Sequence, residues 1–364
     1  MNILHIASIN DDKSSGPNTN VPKNVIYGNE IANVGLYNLR DSKLIMEIPK
    51  EKNFCREKFK HISELPAPFN CPDIVIFHGV YYIEYCHIAK WLRKNNIPYI
   101  IVPRCSMTTA AIKSHFLKKW IANLLFFNKF IAGANVVQFL TKNEYFESKR
   151  NFKIKDYFVL GNGVELPKRH YAAKKRREFK ILFIGRYDVY HKGLDVLLEA
   201  IEMNVDWFRK NNITVELCGS DIDDGLAFLK KNVSDKYLKD IVHILGPVFN
   251  KDKEDALLDA DVFIHTSRLE GQPTSVIEAI SYGIPVIVTP GTNVLDIVKK
   301  NGLGFASELD PRALFNSIKK AFSERNNFSI ISKREIIYAE KNFDWRIILK
   351  KGMDIYSNIL RGGK

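Results

Sequence analysis

Short apolar runs without polar alternation recur along this chain, and helical spacing follows several of them. Ile3–Ile9, Ile74–Phe77, Tyr99–Val102, Val136–Leu140 and Tyr157–Leu160 are such runs, and Ile83–Lys94 carries apolar residues at helical intervals. Unbroken hydrophobicity over four to six residues predicts strands of a parallel sheet covered on both faces. A basic segment after Pro167 interrupts the pattern, which then restarts. Strands are predicted at Lys180–Ile184, Thr214–Cys218, Ile241–Leu245, Val262–His265 and Val286–Val288, with helices at Gly193–Met203, Lys251–Leu258 and Ser275–Tyr282. Two successive β/α series predict an α/β chain of two doubly wound domains facing across a cleft, 1–167 and 168–344.

Composition supports two cores and excludes several classes. The 364 residues are 46% hydrophobic and 26% charged, which is globular and not disordered or collagenous. The five cysteines are scattered without a C-x-x-C pair, against a disulfide framework or structural zinc. No stretch offers 18 uninterrupted apolar residues, since Asn123, Asn128, Lys129 and Asn135 break Trp120–Leu140. Met1–Ile9 has no basic leader and reads as a strand, so the expected location is cytoplasmic. The net charge of +13 is uneven: residues 1–167 carry 22 Lys/Arg against 14 Asp/Glu, and 168–180 add seven against one. Such a field attracts phosphate-bearing partners, although a solubilising surface gives the same count.

Loops after the carboxyl ends of parallel strands are where ligands sit in such folds. Glu270-Gly271-Gln272-Pro273-Thr274-Ser275 follows Val262–His265 and enters a helix, with Thr274 or Ser275 as its expected cap. A helix start there suits a phosphate or sugar hydroxyls. Glu270 and Glu278 would bracket one ligand, because carboxylates accept paired hydrogen bonds from vicinal diols. Gly185-Arg186 and Lys192-Gly193 follow Lys180–Ile184 and offer two cations for a diphosphate. Read one at a time, each segment is equally an ordinary turn or a pair of surface charges.

Taken together, Arg186-x5-Lys192-Gly, Glu270-Gly-x-Pro-x4-Glu278 and Gly283-Ile-Pro-Val-Ile resemble the donor half of retaining GT-B glycosyltransferases, above all glycosyltransferase family 4. Gly161-Asn-Gly-Val164 resembles the family's interdomain junction, and Asn342-Phe-Asp-Trp-Arg346 the start of a C-terminal helix that returns, over 345–364, to the first domain. The resemblance spans 157–360. It implies a donor domain over 168–344 and an acceptor domain over 1–167. Arg186 and Lys192 would hold a nucleotide diphosphate and Glu278 the ribose. Glu270, with the backbone around Gly271, Gln272, Pro273, Thr274 and Ser275, would hold the sugar ring and the distal phosphate. No cofactor or metal is implied. Gln272 stands where an aromatic is frequent, and Ser14-Ser-Gly16-Pro17 replaces a Gly-Gly loop, leaving Gly16 to admit a phosphate to the backbone.

In the first half, His78 and Arg104 end predicted strands and are candidates for catalysis and acceptor binding, against a structural role for the histidine. His5 and His265 read as core or wall, and His191 as a phosphate-loop residue. Asp221-Ile-Asp223 reads as a solvated loop, not a metal element. Lys113–Lys155 holds nine Lys/Arg against Glu144 and Glu147, interleaved with Phe116, Trp120, Phe126, Phe127 and Phe130. That mixture fits an anionic membrane surface, here the inner face of the cell membrane, although its polar residues scatter around the helical wheel as in a core helix. Nucleic acid is not expected, because no binding module accompanies the charge.

The expectation is a metal-independent, retaining transferase. It would move a hexose from a UDP- or GDP-sugar to a glycan hydroxyl, on a lipid diphosphate where the acceptor is membrane-bound, in bacterial surface polysaccharide assembly. Its rivals are a nucleotide-sugar epimerase or hydrolase on the same fold and a non-catalytic polyanion or lipid binder.

Overall fold

The computed structural model describes residues 1–113, 116–172, 174 and 178–362. The chain divides into two compact units, Met1–Gly163 with Trp345–Lys364, and Val164–Asp344. Lys175, Arg176 and Arg177, which contribute to the basic connector expected after Pro167, lie outside the described residues.

The first unit is a parallel sheet of seven strands, β1 (Asn2–Ala7), β2 (Asn33–Asn38), β3 (Asn53–Cys55), β4 (Ile74–His78), β5 (Tyr99–Val102), β6 (Val136–Phe139) and β7 (Tyr157–Val159), in the order β3-β2-β1-β4-β5-β6-β7. β1 pairs on both edges, Ile3 with Val34 and with Ile74. The order reverses direction at β1, which puts the ends of β1, β4 and β5 at the switch point where α/β sheets bind ligands. β4 is buried throughout, as its unbroken Ile-Val-Ile-Phe run requires. β2 and β3 are absent from the sequence reading because glycine and asparagines dilute Asn33–Asn38 and β3 has three residues. β1 ends at Ala7 and not Ile9: Asn38 accepts from the Ile9 amide at 3.0 Å and donates to its carbonyl at 2.9 Å, drawing the chain into a loop.

The second unit is a parallel sheet of β8 (Phe179–Ile184), β9 (Ile213–Cys218), β10 (Val242–Leu245), β11 (Val262–His265), β12 (Val286–Val288) and β13 (Gly304–Ala306), ordered β10-β9-β8-β11-β12-β13. β8 and β11 are neighbours, so the loops that follow them emerge side by side. The helix Trp345–Leu360 belongs to the first unit and packs on the helix Gly16–Gly28. Tyr27 stacks on Trp345 at 6.3 Å, and Arg346 forks onto Glu30 at 2.8 and 2.9 Å. Among the described residues no helix is long and apolar enough to cross a membrane.

Candidate functional site

In the second unit, the strand neighbours β8 and β11 bring together the two segments picked out in the sequence. Lys192 Nζ donates to Glu270 Oε1, across 78 residues of chain. His265 Nε2 meets the same oxygen at 3.2 Å and Ser267 Oγ donates to it at 3.1 Å. Burial raises the Glu270 carboxyl, but Lys192 and His265 outweigh it and hold the group well below the usual carboxylate range. Burial lowers the His265 imidazole below its ordinary value, so Nε2–H is the donor and Nδ1 stays buried without a partner among the described residues. The result is an anion fixed between one cation and two neutral donors.

The two loops are stitched by their backbones. Thr266 Oγ1 donates to the Lys192 and Gly193 carbonyls at 2.8 and 3.2 Å, and the Arg268 amide donates to His191 O at 2.8 Å. Gly193 has φ +64°, and a Cβ there would lie 2.1 Å from Thr266 O, so only glycine closes the junction. Arg268 forks onto Asp195 at 2.7 and 2.8 Å and stacks on Tyr190. Arg186 is exposed and makes no ion pair or hydrogen bond among the described residues, leaving its guanidinium available to an anion. Gly185 sits beside it, and its Cβ would press on Phe183 at 2.9 Å. His191 pairs with Asp188, which caps the short turn Val189–Lys192.

The helix after Pro273 runs Thr274–Tyr282, and its cap is Pro273, without a side-chain hydrogen bond. This corrects the expected cap at Thr274 or Ser275: the proline's extended backbone starts the helix one residue earlier and makes Thr274 its first member. Gly271 and Gln272 form the loop before it, tied to β12's exit by Asn293, which donates to the Glu270 carbonyl and to Gly271 O at 3.1 Å. Glu278 lies one turn inside, ion-paired with Lys253 of the helix Asn250–Asp259.

The first unit gathers a second cluster at the ends of β1, β4 and β5. His78 Nε2 faces His5 Nδ1 at 2.8 Å with the rings stacked, and Arg104 donates to His78 Nδ1 at 3.2 to 3.3 Å. Arg104 also reaches Asn162 Oδ1 at 3.4 Å. Burial and then the Arg104 charge push His5 down to about 3, and the same causes hold His78 well below its ordinary value. Burial pushes Arg104 down to about 10, against the raising effect of Glu144. Arg104 and Cys105 sit at φ +52° and +65°, a left-handed pair costing about 1–3 kcal/mol per residue. Glu144 stabilises it by accepting from the Cys105 and Leu140 amides at 2.6 and 2.8 Å. His78, Gly79, Arg104, Ser106, Ser8 and Pro17 line a cavity of about 320 Å³. Gly16 opens the helix Gly16–Gly28, where a Cβ would meet only Asn20 at 3.8 Å, so neither close packing nor backbone angle requires a glycine there.

His5 and His265 are buried, as a core or wall reading expects, and both also hydrogen-bond candidate site residues. Their signal is a histidine among the apolar residues of a strand. Asn293, Asn162 and Glu144 carried no such signal, because their partners are backbone groups or distant in sequence.

Two parallel-sheet units with paired loops at the strand ends of the second define the GT-B class. The sucrose-phosphate synthase of Thermosynechococcus elongatus superimposes with a TM-score of 0.77 at 16% identity, over 100% of both chains. An Anabaena protein, Alr3699/HepE, solved in complex with UDP, gives 0.75 at 15% identity over 98% of this chain and 100% of that one. Residues 167–342 match the family described as Glycosyl transferases group 1, and the chain carries a domain of that family, glycosyltransferase family 4. A yeast relative, the phosphatidylinositol N-acetylglucosaminyltransferase GPI3 subunit of Saccharomyces cerevisiae, is 23% identical over 51% of this chain and 40% of its own length. The chain thus spans about 40% of the length of the first curated relatives it matches. A Xanthomonas campestris relative, GDP-mannose:cellobiosyl-diphosphopolyprenol alpha-mannosyltransferase, is 23% identical over 78% of this chain and 73% of its own.

Proposed function

We propose that the protein is a retaining, metal-independent glycosyltransferase that moves a hexose from a UDP- or GDP-sugar to a hydroxyl of a glycan acceptor. The carrying observation is Lys192, Glu270 and His265 hydrogen-bonded together, with Arg186, which has no partner among the described residues, on the same loop as Lys192. Arg186 and Lys192 neutralise the diphosphate, Glu278 accepts from the ribose hydroxyls, and Glu270 accepts from sugar hydroxyls. Gly271–Ser275 present loop and helix-start backbone to the donor, and Gly16 admits a phosphate at the opening of its helix. The bond from the anomeric carbon to the diphosphate oxygen breaks with its electrons on phosphate, where the two cations are worth most. The acceptor oxygen attacks on the same face and its proton passes to the departing phosphate oxygen. His78 and Arg104 serve the acceptor, Arg104 through an acidic or phosphate group.

Surface polysaccharide assembly is the setting this reading favours, supported by a relative named for a diphosphopolyprenol-linked acceptor. The Anabaena neighbour's complex with UDP supports a nucleotide donor. A thermal-shift screen of nucleotide-sugars tests the donor, since a bound ligand stabilises the folded state. Nucleotide release is then measured with and without a polyprenyl-diphosphate glycan. Release only with acceptor is expected. Turnover of donor alone would mean an epimerase or hydrolase, and no nucleotide-sugar binding would leave a polyanion or lipid binder.

A further inference from the structure

The helical stretch from Phe116 to Ala132 is one run in three parts, Phe116–Ala122, the π-helical turn Asn123–Phe127 and Asn128–Ala132. Its inner side is Phe127, Phe130 and Ile131, all buried in the first unit's core. Its outer side is also apolar. Leu117, Trp120, Ile121, Leu124, Leu125 and Phe126 are exposed, Leu117 at 69% and Leu124 at 65%. Positions 117, 120, 121, 124 and 125 follow the i, i+3, i+4, i+7, i+8 spacing of one helix face. The π turn, closed by Asn128 N–H to Asn123 O, shifts the phase behind that stripe, so Phe127 and Phe130 turn inward. This phase shift is why the wheel read from sequence looked scattered. A contiguous exposed apolar stripe of this kind marks an interaction surface.

Charge selects the occupant. From Glu84 to Glu144 the chain contains no acidic residue and nine Lys/Arg, of which Lys113, Lys118 and Lys129 are exposed on or beside this helix. Lys119, by contrast, donates to the Ala111 carbonyl and lies over the Tyr81 ring at 5.3 Å, so its role is structural. A second copy of the chain docked on this face by twofold symmetry would set these lysines against themselves. An anionic bilayer surface accepts both the apolar stripe and the cations. We propose that Phe116–Ala132 is an interfacial anchor lying in the plane of an anionic bilayer, with Trp120, Leu124 and Leu125 inserted and Lys118 and Lys129 on headgroups.

The proposal deepens the transferase reading by placing its acceptor unit at a lipid surface, but its test needs no donor, so the two stand or fall separately. The full-length chain is sedimented with phosphatidylcholine vesicles containing or lacking 40% phosphatidylglycerol, while tryptophan emission is followed. Binding to the anionic vesicles with a blue shift that Trp120→Phe removes is expected. Leu124→Glu/Leu125→Glu should abolish binding, and Lys118→Glu/Lys129→Glu should lower partition at least about tenfold and remove its salt dependence. Circular dichroism keeps the variants comparable, since all five positions are exposed. Wild-type protein left in the supernatant at low salt overturns the proposal. So does a dimer in sedimentation equilibrium that Leu124→Glu/Leu125→Glu dissociates, which would assign the face to self-association.

Discussion

Lys192 and Glu270, the cation proposed for the diphosphate and the carboxylate proposed for the sugar, are each other's partners. Both are mostly shielded from water, and His265 and Ser267 meet the same carboxylate oxygen. A donor diphosphate would compete with Glu270 for the ammonium. Lys192→Ala and Arg186→Ala are each expected to lower turnover by about two to three orders of magnitude, as for loss of a key electrostatic contact. Lys192→Ala also strands Glu270 and should destabilise the fold by about 3 kcal/mol. Arg186→Ala, at an exposed unpaired residue, should leave stability unchanged. Urea melts alongside steady-state rates separate the two variants, and normal turnover in both removes the diphosphate assignment.

Glu278 is assigned to the ribose yet carries Lys253. Glu278→Ala should weaken nucleotide binding by about 1.5–3 kcal/mol, the worth of hydrogen bonds to a charged acceptor. Lys253→Ala removes a competitor for the same oxygens, and nucleotide affinity should hold or rise. Titration calorimetry with UDP and GDP checks both. A loss on Lys253→Ala would move the nucleotide contact from the glutamate to the lysine.

The legible part of this chain was what repeats along the sequence. β4, β5, β8 and β11 each carry at least three consecutive apolar residues, and the strand-end rule points from β8 and β11 to Lys192 and Glu270. What escaped is set by contacts remote in sequence. Asn33–Asn38 is a strand because β1 pairs with it, not because its residues favour one. The outward stripe at Leu117–Leu125 was hidden by a single π turn, which changes the helix phase without changing composition.

Metal removal should leave the reaction intact. Among the described residues no three His, Cys, Asp or Glu side chains are grouped to hold an ion. In the proposed reaction Arg186 and Lys192 take the electrostatic part a metal would play. Rates measured after EDTA dialysis should match those before it. Recovery only on adding magnesium or manganese would overturn the charge-neutralisation mechanism.

Acid should loosen the first unit through His5. Burial, then Arg104, pushes its imidazole down to about 3, while in the unfolded chain it titrates near 6.5. The unfolded chain therefore binds a proton that the folded chain refuses. The stabilisation is full above pH 6.5 and is lost as pH falls from there toward 3, at about 1.4 kcal/mol per pH unit. His78 shifts in the same direction. His5→Phe keeps a ring to stack on His78 and removes one titrating group, so its urea stability should fall less steeply between pH 6.5 and 5 by about one proton's slope. An unchanged slope would show that His5 is not held neutral.

Glu335 shifts the other way, and its removal should strengthen the fold. Its side chain is fully buried in the helix Phe328–Asn342, and neither carboxyl oxygen has a hydrogen-bond partner among the described residues. Burial alone raises the group well above its ordinary value, so the folded chain holds a proton that the unfolded chain has released. The penalty is absent below the unfolded value near 4.3 and grows as pH rises, by about 1.4 kcal/mol per unit, until the folded value is reached. Glu335→Met fills nearly the same volume without a polar atom. It should raise the melting temperature at pH 8, gain little at pH 4.5, and leave nucleotide binding unchanged. Equal or lower stability at pH 8 would mean that the carboxylate has a partner in solution, such as an enclosed water or a cation.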